Sequence, residues 1–88
     1  THYNPDGDGL SCICAMIEYL IFQEKPYFAY CYHQPPATYN FLPNIEKINY
    51  QPNNSDLPDV PDFESFDLII VFDCGSLDRT RLEKEILW

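Results

Sequence analysis

THYNPDGDGLS, residues 1–11, and DLIIVFDCGSLDR, residues 67–79, are the two stretches that decide the fold of this chain. In the second stretch, residues 68–72 are five consecutive apolar residues that end at Asp73. A run of this length without polar alternation is typical of a strand that is buried on both faces of a parallel sheet. The sequence therefore predicts such a strand at 68–72.

The first stretch leads into a periodic segment. From Gly9 onward apolar residues recur every three or four positions, which predicts an amphipathic helix that ends near Gln23 and Glu24, before Pro26. Its apolar face is formed by Leu10, Ile13, Cys14, Ile17 and Leu20 or Ile21.

The segments between these two stretches are shorter. Residues 27–32, YFAYCY, are rich in aromatic residues and predict a strand. Residues 37–45 predict a short irregular helix, residues 47–51 a brief strand, and residues 52–66, with their prolines and acidic residues, an exposed loop.

Residues 77–87 predict a second helix, with Asp78 as its cap. Helices that alternate with strands in this order indicate an α/β domain with a parallel sheet. The 88 residues are enough for one small domain or for part of a larger one.

The charge of the chain excludes one class of partner. Five basic and 14 acidic residues give a net charge of −9, which leaves no cationic stripe for a long nucleic-acid duplex. The acidity is compatible with metal binding or with solubility alone.

Two further sequence patterns indicate the cellular compartment of the protein. No apolar run reaches the roughly 18 residues that a membrane span needs, and no signal-peptide pattern is present. The four cysteines, Cys12, Cys14, Cys31 and Cys74, form no C-x-x-C pair, so we interpret them as small buried hydrophobic residues in a reducing compartment. These patterns predict a cytoplasmic protein that does not bind membranes.

Candidate ligands for a metal ion lie at two predicted strand ends. Ligand sites of open parallel sheets lie beyond the carboxyl ends of the strands. His2, Asp6 and Asp8 precede the long helix, and Asp73 follows the 68–72 strand. If the two strands are neighbours, these four side chains converge.

The spacing of the acids constrains how they could act together. Asp6 and Asp8 would point about 200° apart on a helix, so joint ligation requires a non-helical loop, which Pro5 and Gly7 could supply. One imidazole with several carboxylates suits Mn²⁺, Co²⁺, Fe²⁺ or Mg²⁺, and Asp73 could bridge two ions about 3.5–4 Å apart.

Simpler interpretations remain open for the same residues. PDGDG can be a turn followed by a helix N-cap, His2 a surface histidine, and Asp73 the cap of the following turn. An EF-hand loop that starts at Asn4 fails, because its twelfth position is Ala15. A phosphatase with an aspartyl nucleophile would explain Asp6 and Asp8 but leave His2 unused.

The two stretches resemble the first and second motifs of the DHH phosphoesterase family. The likeness is closest to the cytoplasmic oligoribonucleases that also dephosphorylate 3′-phosphoadenosine 5′-phosphate. Residues 39–48, YNFLPNIEKI, are also similar to that branch.

The resemblance implies a fold and a set of ligands. The fold would be an incomplete three-layer parallel-sheet domain, in which residues 1–88 are the amino-terminal part and a second, substrate-binding subdomain is absent. His2, Asp6 and Asp73 would hold one Mn²⁺ ion, and Asp8 and the bridging Asp73 would hold a second. Mg²⁺ or Co²⁺ could replace manganese, and Asp73 and Asp8 would be the catalytic residues.

The resemblance also implies an activity. The substrate would be a short oligonucleotide or a 3′-phosphonucleotide, hydrolysed by water that the two metals activate. Exopolyphosphatase, inorganic pyrophosphatase and cyclic-dinucleotide phosphodiesterase activities stay open as alternatives, as does a non-catalytic acidic binding domain. A homodimer is also left open, and the 88-residue piece alone is expected to be inactive.

Overall fold

The computed structural model describes residues 1–51 and 61–86. Its helices are α1, Gly7–Phe22, and α2, Glu83–Ile86. Its strands are β1, Tyr30–Cys31, and β2, Asn49–Tyr50. Between them lie 3₁₀ turns at Ala37–Tyr39, Ile45–Lys47, Phe63–Ser65 and Leu77–Thr80.

Helix α1 confirms the predicted amphipathic helix and forms one side of the core. It begins at Gly7, two residues earlier than the apolar pattern indicates, because the Asp6 side chain caps it by accepting a hydrogen bond from the Gly9 backbone N–H. The predicted apolar face is the buried one, with Leu10 and Ile17 almost fully buried. The other core members are Ile13, Cys14, Cys31, Ile45 and Ile48.

The C-terminus of α1 ends in a Schellman motif. The Lys25 N–H donates to the Leu20 carbonyl at 2.9 Å and the Glu24 N–H to the Ile21 carbonyl at 3.0 Å. Glu24 has a φ of 56°, a left-handed conformation that glycine adopts more easily. The chain turns there toward β1.

The two strands pair in parallel. Tyr30 lies opposite Asn49 and Cys31 opposite Tyr50, so strands fall within both short segments for which they are predicted, although each has only two residues. A helix that packs on parallel strands agrees with the predicted α/β class.

The segment 37–45 forms 3₁₀ turns instead of one irregular helix, and Asn44 fixes their position. Asn44 is buried, with a φ of 71°, and its Nδ2 donates to Glu18 Oε2 at 2.9 Å and to the Cys14 carbonyl at 3.4 Å. Its Oδ1 accepts a hydrogen bond from Lys47 Nζ at 2.9 Å. One side chain thus joins α1 to the turn that leads into β2.

The prediction of a fully buried strand at 68–72 is wrong for the described structure. These residues are not assigned to a strand, and Leu68 and Ile70 are 72% and 47% exposed. A strand that is buried on both faces needs neighbouring strands at its edges and a covering layer on each face of the sheet. The described residues provide neither for residues 68–72. Of these five residues Phe72 packs against the core, and the segment lines a cavity of about 530 Å³ that residues 26–30 also line.

The predicted helix at 77–87 is interrupted. A 3₁₀ turn at Leu77–Thr80 ends at Arg81, which has a φ of 62°, and α2 follows. The buried Thr80 hydroxyl donates to the Leu77 carbonyl and accepts from the Leu82 N–H, and these bonds compete with continued helix. Asp78 does not cap the turn, because the N-cap is Ser76, whose hydroxyl donates to the Asp78 carboxylate.

The cysteines divide into two groups. Cys14 and Cys31 are buried in the core as predicted, whereas Cys12 is exposed and Cys74 half-buried, so the interpretation of all four as buried hydrophobic residues is wrong for these two. Of the predicted 52–66 loop, residues 52–60 lie outside the described residues. Among the described helices, none has the length and apolarity to cross a membrane.

Candidate metal centre

Three of the four predicted ligands meet at one end of α1. His2 Nε2 lies 3.6 Å from Asp6 Oδ2 and 3.7 Å from Asp73 Oδ2. One ligand atom from each of the three residues lies within 4.8 Å of the other two. The structure therefore brings His2 and Asp6 together with Asp73, which is distant in sequence.

The N-terminus of α1 positions Asp6. As N-cap, Asp6 has extended backbone, and its Oδ1 accepts the Gly9 N–H at 3.2 Å while Oδ2 faces His2. This hydrogen bond holds the pKa of the Asp6 carboxyl below its usual value, and the nearby His2 imidazole and Asp73 act in the same direction. Asp6 is thus kept ionised, the form that binds a cation.

His2 is positioned by the residue before it, Thr1, which packs closely on helix α1. Thr1 is buried against α1, and a Cβ on Gly9 would lie only 2.3 Å from the Thr1 hydroxyl oxygen. Glycine is therefore required at position 9 so that the segment before the helix can approach it. The His2 side chain is 14% exposed, with Nδ1 buried and without a hydrogen-bond partner among the described residues.

A left-handed turn positions Asp73. Phe72 packs against the core, and Asp73, with a φ of 51°, changes the direction of the chain immediately afterwards. Aspartate adopts this conformation more readily than most residues do. The Asp73 side chain stays 41% exposed, so water or a ligand can reach it.

The distances from His2 to the two carboxylates suit a shared divalent cation. An ion about 2.1 Å from two ligand atoms places those atoms between about 3.0 Å apart, when they are adjacent in an octahedron, and about 4.2 Å apart, when they are opposite. The distances of 3.6 and 3.7 Å from His2 lie in this range and are too long for direct hydrogen bonds. One nitrogen with two carboxylate oxygens is a donor set that Mn²⁺ and similar ions accept.

Asp8 is not a member of this group. Because α1 begins at Gly7, Asp8 is an exposed residue in the first turn of the helix, and the expected non-helical loop from Asp6 to Asp8 does not form. The ion position that His2, Asp6 and Asp73 share therefore does not include Asp8.

A cluster of aromatic and cationic side chains beside His2 was missed by the sequence analysis. The Arg81 guanidinium carbon lies 4.3 Å from the centre of the Tyr3 ring, and that of Arg79 lies 5.7 Å from it. The His33 Nδ1–H donates to the Tyr3 carbonyl. The available signal was that two of the five basic residues lie close together, six and eight residues after Asp73, but no periodicity indicates that they reach Tyr3.

Comparison with known proteins gives one match. No curated protein and no solved structure matches the chain. The family model described as the DHH family, N-terminal domain, matches residues 1–86. Since this match covers almost the whole chain, the chain belongs to the DHH family, whose members are in general metal-dependent phosphoesterases.

Proposed function

We propose that this protein hydrolyses phosphodiester or phosphomonoester bonds of short oligonucleotides or 3′-phosphonucleotides, with two manganese ions. The observation that carries the proposal is the convergence of His2, Asp6 and Asp73 in a chain of the DHH family. If residues 5–9 formed only an acidic turn, nothing would require His2 and the carboxylate of Asp73, which comes from a distant segment, to lie at the same place.

Each ligand has a separate role in this proposal. His2 and Asp6 hold the first cation with Asp73, while Asp73 also contributes to the second together with Asp8. Bound divalent ions would supply the charge that polarises the phosphoryl group and lowers the pKa of the attacking water. Asp73 and Asp8 then act as the catalytic residues, and Asp6 stays ionised because the Gly9 N–H donates to it.

The ionisation of Asp6 matters for loading the site. A carboxyl of ordinary pKa is already ionised near neutral pH, and the lowered pKa of Asp6 keeps it ionised in more acidic solution, where protons compete with the cation. The exposure of Asp73 leaves room for substrate on the solvent side of the cluster.

The proposed substrate class rests on a segment outside the metal centre. Residues 39–48 are similar to the oligoribonuclease branch, which supports short oligonucleotides or 3′-phosphonucleotides over polyphosphate, pyrophosphate or cyclic dinucleotides. In the complete protein we propose a cytoplasmic three-layer domain with a second, substrate-binding subdomain, without which residues 1–88 are inactive.

Manganese binding and hydrolysis in the full-length protein test the proposal. Asp73→Asn should abolish hydrolysis of a dinucleotide and weaken Mn²⁺ binding measured by calorimetry. The matched control is Asp67→Asn, which removes the same charge from an exposed residue of the same segment that is outside the cluster. Equal Mn²⁺ affinity in the two variants would contradict the assigned centre, and hydrolysis of pyrophosphate or polyphosphate alone would contradict the substrate class.

A further inference from the structure

Two arginine guanidinium groups lie over the ring of Tyr3, the residue next to the metal-ligand candidate His2. Tyr3 directly follows His2, and its ring is contacted by the guanidinium groups of Arg81, at 4.3 Å, and Arg79, at 5.7 Å. The Arg81 group also lies 5.7 Å from the ring centre of Tyr32. The positive charge therefore lies on the ring of the residue that follows the ligand His2 in the chain.

Neither guanidinium is neutralised by a carboxylate among the side chains of residues 1–51, 61–84 and 86, where the ion pairs are those of His2 with Asp6 and Asp73. Acidic residues outnumber basic ones by 14 to 5 in this chain, so two exposed arginines with no acidic partner among the described side chains are unexpected. Their charge is available for an anion from solution.

The local backbone holds Arg81 in place. Arg81 has a φ of 62°, which is unfavourable for a non-glycine residue, and its N–H donates to the Asp78 carbonyl at 3.2 Å. The buried Thr80 fixes the preceding turn through its bonds to Leu77 and Leu82. Arg81 is thus a non-glycine residue held in the left-handed conformation, and such strained residues cluster at functional sites.

Tyr3, on which the two guanidinium groups lie, is held in place as well. The His33 Nδ1–H donates to the Tyr3 carbonyl, and the His33 ring meets the Tyr3 ring edge-on at 5.9 Å. A guanidinium that stacks on an aromatic face keeps its N–H groups in the ring plane free, and these form paired hydrogen bonds with phosphate oxygens.

We propose that Arg81, assisted by Arg79, binds a second phosphate of the substrate, distinct from the phosphate that reacts at His2, Asp6 and Asp73. This inference rests on the proposed function and adds a specificity determinant to it. The site would select substrates with two phosphates over analogues that carry only the reacting one. A stacked arginine suits this role, because it adds binding energy without entering the metal cluster.

A matched pair of nucleotides tests the proposal in the full-length protein with Mn²⁺. Adenosine 3′,5′-bisphosphate and adenosine 3′-monophosphate differ only in the second phosphate. Arg81→Gln should lower kcat/KM for the bisphosphate about tenfold to hundredfold, mainly through KM, and change the value for the monophosphate less than twofold. Lys84→Gln is the control, since it removes one positive charge from an exposed residue of α2.

A second measurement separates this proposal from the proposed function. In EDTA, without metal or turnover, wild type should bind adenosine 3′,5′-bisphosphate and Arg81→Gln should bind it about tenfold or more weakly. If neither nucleotide is hydrolysed but this difference in binding is found, the proposed function fails and the Arg81 site stands. Equal binding by the two proteins, absence of binding by wild type, or an equal loss of kcat/KM for both nucleotides would overturn the Arg81 site.

Discussion

The Asp6 carboxylate caps helix α1 by accepting a hydrogen bond from the backbone N–H of Gly9 at 3.2 Å. This bond uses Oδ1, and Oδ2 remains directed at His2, 3.6 Å away. From the sequence alone, an N-cap and a metal ligand are alternative interpretations of Asp6. The geometry allows both, because each role uses a different oxygen.

The Asp6 cap makes stability depend on pH in the acidic range. The pKa of Asp6 in the folded protein lies below its unfolded value, so its contribution is present above the unfolded pKa and is lost as pH falls through the folded pKa. Asp6→Asn still offers a cap oxygen but does not titrate. We therefore expect the metal-free variant to lose less stability than wild type between about pH 4 and pH 2, measured by urea unfolding in EDTA.

The control for this experiment is Asp67→Asn, which changes an exposed carboxylate that is outside the cluster. It should follow the wild-type dependence on pH. If Asp6→Asn and wild type lose stability in parallel, the Gly9 hydrogen bond does not hold the Asp6 pKa down in solution.

The packing of Thr1 on Gly9 predicts that one methyl group would disturb the metal centre. In Gly9→Ala the new Cβ would meet the Thr1 side chain at 2.3 Å, so the segment that carries His2 must move. Overpacking of this kind typically costs about 1–3 kcal/mol. Both the free energy of unfolding and the Mn²⁺ affinity should fall, as measured by urea unfolding and by calorimetry.

Gly75→Ala is the matched control, because a Cβ at Gly75 has no atom of the described structure within 4 Å. It lies two residues after Asp73 and should leave both quantities close to wild type. A Gly9→Ala protein that binds Mn²⁺ as tightly as wild type would show that the position of His2 does not depend on this contact.

The parts of the fold that local patterns encode were predictable from the sequence. Leu10, Ile13 and Ile17 are buried on one face of α1, as the spacing of apolar residues indicates, since this spacing follows the helical repeat. His2 and Asp73 also meet, as expected, but not at the ends of two neighbouring strands: residues 68–72 are not assigned to a strand, and the left-handed turn at Asp73 places its carboxylate near His2.

Two predictions failed because they depend on contacts that a local pattern does not contain. Residues 68–72 have the composition of a buried strand, but burial requires neighbours, and the described residues leave Leu68 exposed. The start of α1 at Gly7 instead of Gly9 depends on the Asp6 cap, and this shift of two residues moves Asp8 into the helix.

Burial predicts different reactivities for two cysteines. Cys31 is 1% exposed and its burial raises the pKa of its thiol to about 12, whereas Cys12 is exposed. Because the thiolate is the reactive form, iodoacetamide at pH 8 should modify Cys12 rapidly and Cys31 only after unfolding. Mass spectrometry of peptides from native and urea-treated protein would measure this, and rapid native labelling of Cys31 would contradict its place in the core.

The hydrogen bonds of Asn44 allow a prediction of how much one buried side-chain amide contributes to the free energy of unfolding. Asn44→Gly keeps access to the left-handed backbone but removes the hydrogen bonds with Glu18 and Lys47 and with the Cys14 carbonyl. Loss of such bonds at a buried site should lower the free energy of unfolding by about 1–3 kcal/mol. Glu24→Gly is the control at an exposed left-handed position, and relief of its backbone strain should leave stability unchanged or raise it by up to about 1 kcal/mol. Urea unfolding of the two variants should therefore give shifts of different sign or size, and equal destabilisation would show that backbone freedom, not the Asn44 hydrogen bonds, sets the stability at position 44.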